Sequence, residues 1–163
     1  MKALPLIHNV EDLSEFIPLD KKLRFAIEQV SKKYPFKIPK YYLDLMEKHN
    51  PLCPIRMQSV PSIEELDDEG DIDPLRERGI FVTPSFLKRY PKRGVFLVTS
   101  KCAMYCRFCN RKRFVGKGRK LESLWDDTLQ YLETDYETHE VIVSGGDPFV
   151  LPPEALDYLI GRI

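Results

Sequence analysis

Three of the chain's four cysteines fall within eight consecutive positions. Cys102, Cys106 and Cys109 have the spacing C-x3-C-x2-C, and a run of basic residues follows them. Closely spaced thiolates bind zinc or iron–sulfur clusters, or they form redox pairs and disulfides. No apolar run approaches the roughly 20 residues that a membrane helix needs, and the N-terminus does not have the pattern of a signal peptide. We therefore expect a cytoplasmic, reducing location, which disfavours disulfides.

Zinc and redox chemistry leave parts of this pattern unexplained. Structural zinc takes four ligands, usually as two separated pairs, but Cys53 lies far away in a proline-rich stretch and His139 follows thirty residues later. A thioredoxin-type C-x2-C pair would leave the third cysteine without a role. A 4Fe–4S cluster held by three thiolates would keep one iron open for a substrate or cofactor. The spacing therefore favours an iron–sulfur cluster over zinc.

The elements around the cysteines predict a parallel α/β sheet. Residues 94–100 (GVFLVTS) form a continuous apolar run, which is typical of a strand buried on both faces, and residues 140–147 (EVIVSGGD) form a second such strand that ends in a glycine turn. Helical stripes at 120–133 and 152–163 follow the two strands. The cysteines follow the carboxyl end of the first strand, where active sites of such sheets are built.

The preceding region, residues 1–93, reads as helical. Apolar periodicity predicts helices at 19–33 and 39–48, and Ser62 with Glu65 forms a capping-box signature. This region lacks strand alternation and, by its pattern, a strong core of its own. We predict a division into residues 1–93 and a second region, residues 94–163, that holds the first two β/α units. Because two parallel strands would leave bare edges, we expect the N-terminal portion of a longer protein, inactive on its own.

The charge balance argues against a nucleic-acid partner. Lys plus Arg and Asp plus Glu each number 25, which gives a net charge of zero. The acidic stretch 64–73 (EELDDEGDID) predicts a solvated face. We therefore expect neither nucleic acid nor membrane as a partner.

The cysteine motif resembles that of the radical S-adenosylmethionine enzymes, whose three cysteines hold a 4Fe–4S cluster with an iron open to the cofactor. Phe108, before the last cysteine, and the turn Gly145, Gly146 and Asp147 match positions that bind S-adenosylmethionine in that family. The stretches RYPKRGVFLVTSKCAMYCRFCNRKRF and CPIRMQSVPSIEEL are similar to the lysine 2,3-aminomutase family, which includes lysine and glutamate 2,3-aminomutases and the enzyme that makes β-lysine for elongation factor P. The sequence departs from the aminomutase family at Phe108 and Asn110, and Asp147 stands where the glycine-rich motif of the radical S-adenosylmethionine enzymes has glutamate.

The resemblance implies a fold and an activity. The fold would be a partial TIM-like parallel barrel preceded by the helical region. The activity would be that of an isomerase, moving the α-amino group of lysine or a similar amino acid to C3, with a 4Fe–4S cluster, S-adenosylmethionine and pyridoxal 5′-phosphate as cofactors. The resemblance also implies an external reductant of the flavodoxin or ferredoxin type, and it allows for a homo-oligomer.

Four further residues take their expected roles from the resemblance. Arg89, Tyr90 and Arg93 match the positions that hold the phosphate of pyridoxal phosphate, and Arg111 matches the arginine that pairs with the substrate carboxylate. Bidentate guanidinium groups suit both anions. The lysine that binds pyridoxal phosphate in the family would lie beyond residue 163. Two other readings stay open: a radical S-adenosylmethionine enzyme without pyridoxal phosphate, and a non-catalytic zinc or RNA-binding module.

Overall fold

The computed structural model describes residues 5–67 and 69–163, which form two compact units. The first unit comprises the described residues up to Gly70 together with Ala103–Cys109, and the second comprises Asp71–Cys102 and Asn110–Ile163. None of the helices in the described ranges is both long enough and apolar enough to cross a membrane.

Short helices and one small strand pair build the first unit. Its elements are β1 Leu6–Ile7, α1 Val10–Ser14, α2 Lys21–Lys33, β2 Ile38–Pro39, α3 Lys40–Asp44 and α4 Pro54–Ser59. Helix α2 begins after Asp20, whose carboxylate accepts a 2.7 Å hydrogen bond from the backbone N–H of Leu23. It buries Ala26, Ile27 and Val30, as the periodicity predicts. The second predicted helix is shorter than 39–48, because α3 ends at Asp44.

The first unit has its own apolar core, so the expectation of a region without a strong core is wrong. The buried side chains of this core are Ile7, Val10, Leu13, Ile17, Ile27, Phe36, Ile38, Leu43, Met46, Cys53 and Val60. The core also includes β1 and β2, which pair in antiparallel orientation. The predicted capping box is confirmed: the Ser62 N–H donates to Glu65 Oε1 at 3.1 Å and starts a 3-10 helix, Ile63–Leu66.

A four-stranded sheet forms the centre of the second unit. Its elements are β3 Phe81–Thr83, β4 Phe86–Tyr90, β5 Arg93–Thr99, α5 Trp125–Thr134, β6 Glu140–Gly145 and α6 Pro153–Arg162. The order is β3-β4-β5-β6, with antiparallel pairs up to β5 and a parallel pair between β5 and β6. The predicted unit of two parallel strands joined through a helix is therefore confirmed.

The two faces of this sheet pack against different groups of residues. Phe96 and Val98 of β5 pack with residues of α5 and α6, and the indole N–H of Trp125 donates to the Val98 carbonyl at 2.8 Å. On the other face, Leu97 packs with Phe114 and with residues of the 3-10 helix Leu121–Leu124. The single helical stripe expected at 120–133 thus divides between both faces, because its first turn is 3-10.

The strands β3 and β4 fall within residues 1–93, so the expectation of a region without strands is wrong. Both are short, and Pro84 lies in the turn between them. The α/β class is confirmed. Within the described residues the sheet is open, with β3 and β6 at its edges. The barrel, and the division of the whole protein into a helical region and a barrel, stay predictions.

Candidate functional site

The predicted glycine turn packs against the first cysteine at the carboxyl ends of the parallel strands. The Gly146 N–H donates to the Thr99 carbonyl at 2.6 Å, and the Asp147 N–H donates to the Lys101 carbonyl at 2.7 Å. These bonds bring Gly145, Gly146 and Asp147 beside Cys102. The Asp147 carboxylate accepts a 3.0 Å hydrogen bond from the Phe149 N–H and so caps the next short turn.

Glycine is required at both positions of the turn. Gly145 has a φ of 123°, and a Cβ there would collide with the Thr99 carbonyl. A Cβ on Gly146 would lie 2.7 Å from the Lys101 carbonyl carbon and 3.0 Å from the Cys102 sulfur. The glycine turn therefore packs directly against Thr99, Lys101 and Cys102, with no room for a side chain between them.

The other two cysteines lie in the first unit, on a segment held by a buried arginine. Arg107 is 8% exposed, and its guanidinium makes a bidentate pair with Glu65 at 2.8 and 2.9 Å. It also donates to the carbonyls of Pro35 and Tyr34 at 3.0 and 3.2 Å. These contacts fix the chain on both sides of Arg107, between Cys106 and Cys109.

Three backbone hydrogen bonds complete this segment. The Tyr105 N–H donates to the Lys37 carbonyl at 2.9 Å, and the Arg107 N–H donates to the Gln58 carbonyl at 2.8 Å. The Cys109 N–H turns back to the Cys106 carbonyl at 3.2 Å. Phe108, which the resemblance predicts to bind S-adenosylmethionine, is 67% exposed.

The four cysteines differ in their surroundings. All four cysteines are free, and three of them are partly exposed. Burial raises the pKa of the Cys106 thiol, and the neighbouring Cys109 raises it further. Cys53 instead is buried in the first core and accepts a hydrogen bond from the Glu47 N–H at 3.4 Å, so it is a structural residue.

The metal site itself stays a prediction. In residues 5–67 and 69–163, no group of three or more His, Cys, Asp or Glu side chains is arranged to hold a metal ion. Cys102 belongs to the second unit, whereas Cys106 and Cys109 belong to the first. Three thiolates are the number of protein ligands that a 4Fe–4S cluster with one open iron would take.

The four residues predicted to bind anions line a single cavity in the second unit. This cavity has a volume of about 500 Å³, and its apolar wall includes Leu87, Val95 and Ile142 of the sheet. The polar and charged side chains that line it are Arg76, Glu77, Arg89, Tyr90, Arg93 and Arg111. Four arginines face one glutamate, so the cavity is positively charged and suited to anions.

Arg89 and Arg93 line the cavity, and each of them also binds an acceptor within the second unit. The Arg89 guanidinium donates to the Leu75 carbonyl. Arg93 pairs with Glu140 at 2.7 Å, and both side chains are about half exposed. Tyr90 is 60% exposed at the end of β4. All three side chains therefore reach solvent.

Arg111 is held more firmly, by a carboxylate that the sequence did not single out. Glu77 is 3% exposed and accepts from Arg111 Nη2 at 2.7 Å and from Nε at 3.0 Å. Arg111 Nη1 donates to the Ser144 hydroxyl at 3.0 Å. Arg113 also pairs with Glu77, and it pairs with Asp73 at 3.1 Å. A glutamate in the turn DPLRERG gives no periodic signal, because its arginine partners follow 34 and 36 residues later.

The acidic stretch is only partly the solvated face that the sequence predicts. Glu64, Asp67 and Asp71 are exposed, while Asp68 lies outside the described residues. Glu65 and Asp73, however, bind the buried guanidinium groups of Arg107 and Arg113. Basic residues of the cysteine segment therefore form ion pairs with the acidic stretch in both units, Arg107 with Glu65 in the first and Arg113 with Asp73 in the second.

Similar proteins were found along nearly the whole chain, although no protein-family model matches it. An L-lysine 2,3-aminomutase of Bacillus subtilis is 36% identical over 162 residues, which are 96% of this chain and 34% of the relative. The L-lysine 2,3-aminomutase of Clostridium subterminale is 35% identical over 162 residues, 96% of this chain and 39% of the relative. A glutamate 2,3-aminomutase of Clostridioides difficile is 33% identical over 160 residues, 96% of this chain and 38% of the relative.

The chain therefore spans less than half the length of these curated relatives. The alignments cover the cysteine motif, the glycine turn and the cavity arginines, because they extend over almost every residue of the chain. The resemblance predicted from the motifs is confirmed: this chain is related, along nearly its whole length, to part of the lysine and glutamate 2,3-aminomutases.

Proposed function

We propose that the chain is part of a 2,3-aminomutase of the radical S-adenosylmethionine type that uses pyridoxal phosphate. The reaction would be an isomerisation that moves the α-amino group of lysine or a similar amino acid to C3. The names of the relatives support an aminomutase in general terms. The choice of amino acid and the cofactors belong to the proposal.

The observation that carries this proposal is the shared cavity of Arg89, Tyr90, Arg93 and Arg111. A substrate bound through pyridoxal phosphate presents two anions, a phosphate and an α-carboxylate. Arg89, Tyr90 and Arg93 would hold the phosphate at the rim of the cavity, because they are the more exposed group. Arg111, partly buried, would bind the carboxylate as a bidentate partner.

The cysteine segment and the glycine turn would hold the second pair of cofactors. Cys102, Cys106 and Cys109 would supply thiolates to the cluster. The turn at Gly145, Gly146 and Asp147, which packs beside Cys102, would bind S-adenosylmethionine, as the resemblance implies. When bound, the cluster with S-adenosylmethionine supplies radical chemistry at carbon, and pyridoxal phosphate supplies a conjugated ring for the migration of nitrogen.

The chain's own contribution is binding, orientation and exclusion of water. Leu87, Val95 and Ile142 provide an apolar wall that keeps water from the substrate. The charges of the arginines fix the two ends of the bound molecule. Such fixation matters most for a reaction whose reactive species would otherwise combine with water or oxygen.

Cofactor content of the full-length protein tests the proposal first. After anaerobic purification we expect iron and sulfide in the ratio of a 4Fe–4S cluster, and a visible absorbance of bound pyridoxal phosphate that borohydride bleaches. Zinc without iron or sulfide would rule out the cluster. A cluster without pyridoxal phosphate would instead favour a different radical S-adenosylmethionine enzyme.

Turnover is the second test. With reductant and S-adenosylmethionine, the full-length protein should convert L-lysine or L-glutamate to the corresponding β-amino acid, detected by mass spectrometry after derivatisation. Failure with both amino acids, in a protein that carries the full set of cofactors, would contradict the proposed reaction for these substrates.

A further inference from the structure

A buried carboxylate lies in the wall of the cavity and joins two arginines. Glu77 is 3% exposed, and its oxygens bind the guanidinium groups of both Arg111 and Arg113. Arg113 in turn binds Asp73 at 3.1 Å, and its side chain is only 8% exposed. Arg111, Glu77, Arg113 and Asp73 thus form a chain of ion pairs, of which Arg111 and Glu77 line the cavity.

The backbone immediately before Glu77 has an unusual conformation. Arg76, immediately before Glu77, has φ 48° and ψ 42°, a left-handed conformation that is unfavourable for any residue except glycine. The Asp73 carboxylate accepts a 2.9 Å hydrogen bond from the Arg78 N–H and closes the turn. Among the described residues Arg76 is the non-glycine residue with positive φ, and it adjoins Glu77 in the cavity wall.

Glu77 is ionised at neutral pH. Burial acts to raise its pKa, but hydrogen bonds and charges from Arg111 and Arg113 outweigh burial and leave the pKa below its ordinary value. The carboxylate binds Nε and Nη2, which form one edge of the Arg111 guanidinium, and Ser144 binds Nη1. An arginine held along one edge has a fixed plane and loses little rotamer freedom when it binds a second group.

We propose that Glu77 is a positioning residue that holds Arg111 in the orientation needed to bind the α-carboxylate of the amino-acid substrate. This inference rests on the proposed function. Without Glu77, Arg111 would keep its charge but lose the partner that fixes its plane. Substrate binding should therefore weaken through geometry, while phosphate binding at Arg89 and Arg93, which do not contact Glu77, should persist.

Glu77→Gln in the full-length protein is the main test. The protein is loaded with cofactors but given no reductant, and binding of radiolabelled L-lysine or L-glutamate, whichever the parent converts, is measured by equilibrium dialysis. We expect the Kd to rise about tenfold, as for the loss of one charged hydrogen-bonded partner. The same amino acid with its α-carboxyl converted to carboxamide should bind parent and variant within about twofold, because it does not need a bidentate cation.

Two further variants separate positioning from general damage. Asp135→Asn breaks another buried pair of the same unit, Lys88 with Asp135 at 2.6 Å, which does not line the cavity. It should lower the melting temperature without changing the Kd for the acid. Glu77→Asp keeps the charge on a side chain that is one methylene shorter, so its Kd for the amino acid can be measured if Glu77→Gln fails to fold. We expect a smaller loss of affinity in this variant, about threefold.

The outcomes distinguish this inference from the proposed function. If the parent converts neither amino acid, both fail together. If the parent is active but the Glu77 variants bind the acid as tightly as the parent, the positioning role is wrong and the proposed function stands. Tighter binding in Glu77→Gln would also overturn the inference, since it would make Glu77 a competitor for Arg111. An equal loss of affinity for the carboxamide would show damage to the cavity and count against it as well.

Discussion

Two arginines that follow β5, the buried Arg107 and the partly buried Arg111, each pair with a glutamate but have different roles. Arg107, in the first unit, pairs bidentately with Glu65 and also binds two backbone carbonyls. Arg111, in the second, pairs side-on with Glu77 but lines a cavity of about 500 Å³. All the groups that bind the first guanidinium come from the folded chain, so it stabilises structure. The second is fixed in place but borders a space that can admit a ligand.

This difference shows why a buried ion pair alone does not identify a site. Removing one member of such a pair is costly wherever the pair lies, because the other charge is left without a partner. Arg111 differs because it lines a cavity that Arg89, Tyr90 and Arg93 also line. The predictions below test whether the two arginines differ in function as they differ in surroundings.

The largest effect is expected at the cysteine next to Arg107. Cys106→Ala should abolish cluster formation in the full-length protein, because only Cys102 and Cys109 would remain as thiolate ligands of the motif. Iron and sulfide analysis after anaerobic reconstitution provides the measurement. Cys53→Ala is the matched control, since Cys53 lies in the core, and it should retain iron. Full iron content in Cys106→Ala would refute the cluster assignment.

Removing the charge of Arg107 should have the next largest effect. Arg107→Met leaves Glu65 partly buried without its cation and two carbonyls without a donor, so we expect the free energy of unfolding to fall by about 3–5 kcal/mol. Urea denaturation measures it. Arg162→Met, which breaks an exposed pair with Glu133, should change the stability little. Equal losses in the two variants would mean that Arg107 is not the anchor described here.

Exchanging arginine for lysine should separate the two positions. Arg111→Lys keeps the charge but loses the side-on pair, so affinity for the amino-acid substrate should drop about tenfold, or ~1.4 kcal/mol. Arg107→Lys should lower the melting temperature instead and leave substrate affinity near the parent value in correctly folded protein. If Arg107→Lys weakened substrate binding as much as Arg111→Lys, the proposed contrast would fail.

Acid pH should weaken the pairs of the second unit by a smaller amount. A hydrogen bond from Lys88 holds the pKa of Asp135 far below its ordinary value, and Arg111 and Arg113 lower the pKa of Glu77 against the effect of burial. Because both folded pKa values are depressed, this stability is present above the unfolded value of about 4 and is lost as the pH falls below it. Denaturation between pH 7 and pH 3 should be less pH-dependent in Asp135→Asn. An unchanged dependence would contradict the role of this pair.

Most of the regular structure was predictable, because it follows from local sequence patterns such as apolar runs and capping residues. The apolar runs at 94–100 and 140–147 correspond to β5 and β6, and the capping box at Ser62 is present. The hairpin of β3 and β4 was missed, since its strands have three and five residues and a proline between them. β4 pairs with β5 and β3 pairs with β4, and strands this short carry little periodicity of their own.

The site was predictable only where a motif or a resemblance named the residues. The cysteines, the glycine turn and the cavity arginines could be singled out in this way. Glu65 and Glu77 could not, because a carboxylate is drawn into the interior by an arginine that follows 42 or 34 residues later. Burial of a charge depends on tertiary partners, which single-sequence patterns do not contain.

The contact between Gly146 and Cys102 has a consequence for protein engineering. Any side chain at position 146 would press on the Lys101 carbonyl and the Cys102 sulfur. The residues that follow β5, Lys101 and Cys102, and the glycine turn that ends β6 therefore form one packed unit, although about 40 residues and a helix lie between them. A loop grafted after a strand of another parallel sheet should fit only if the neighbouring strand brings its two glycines along.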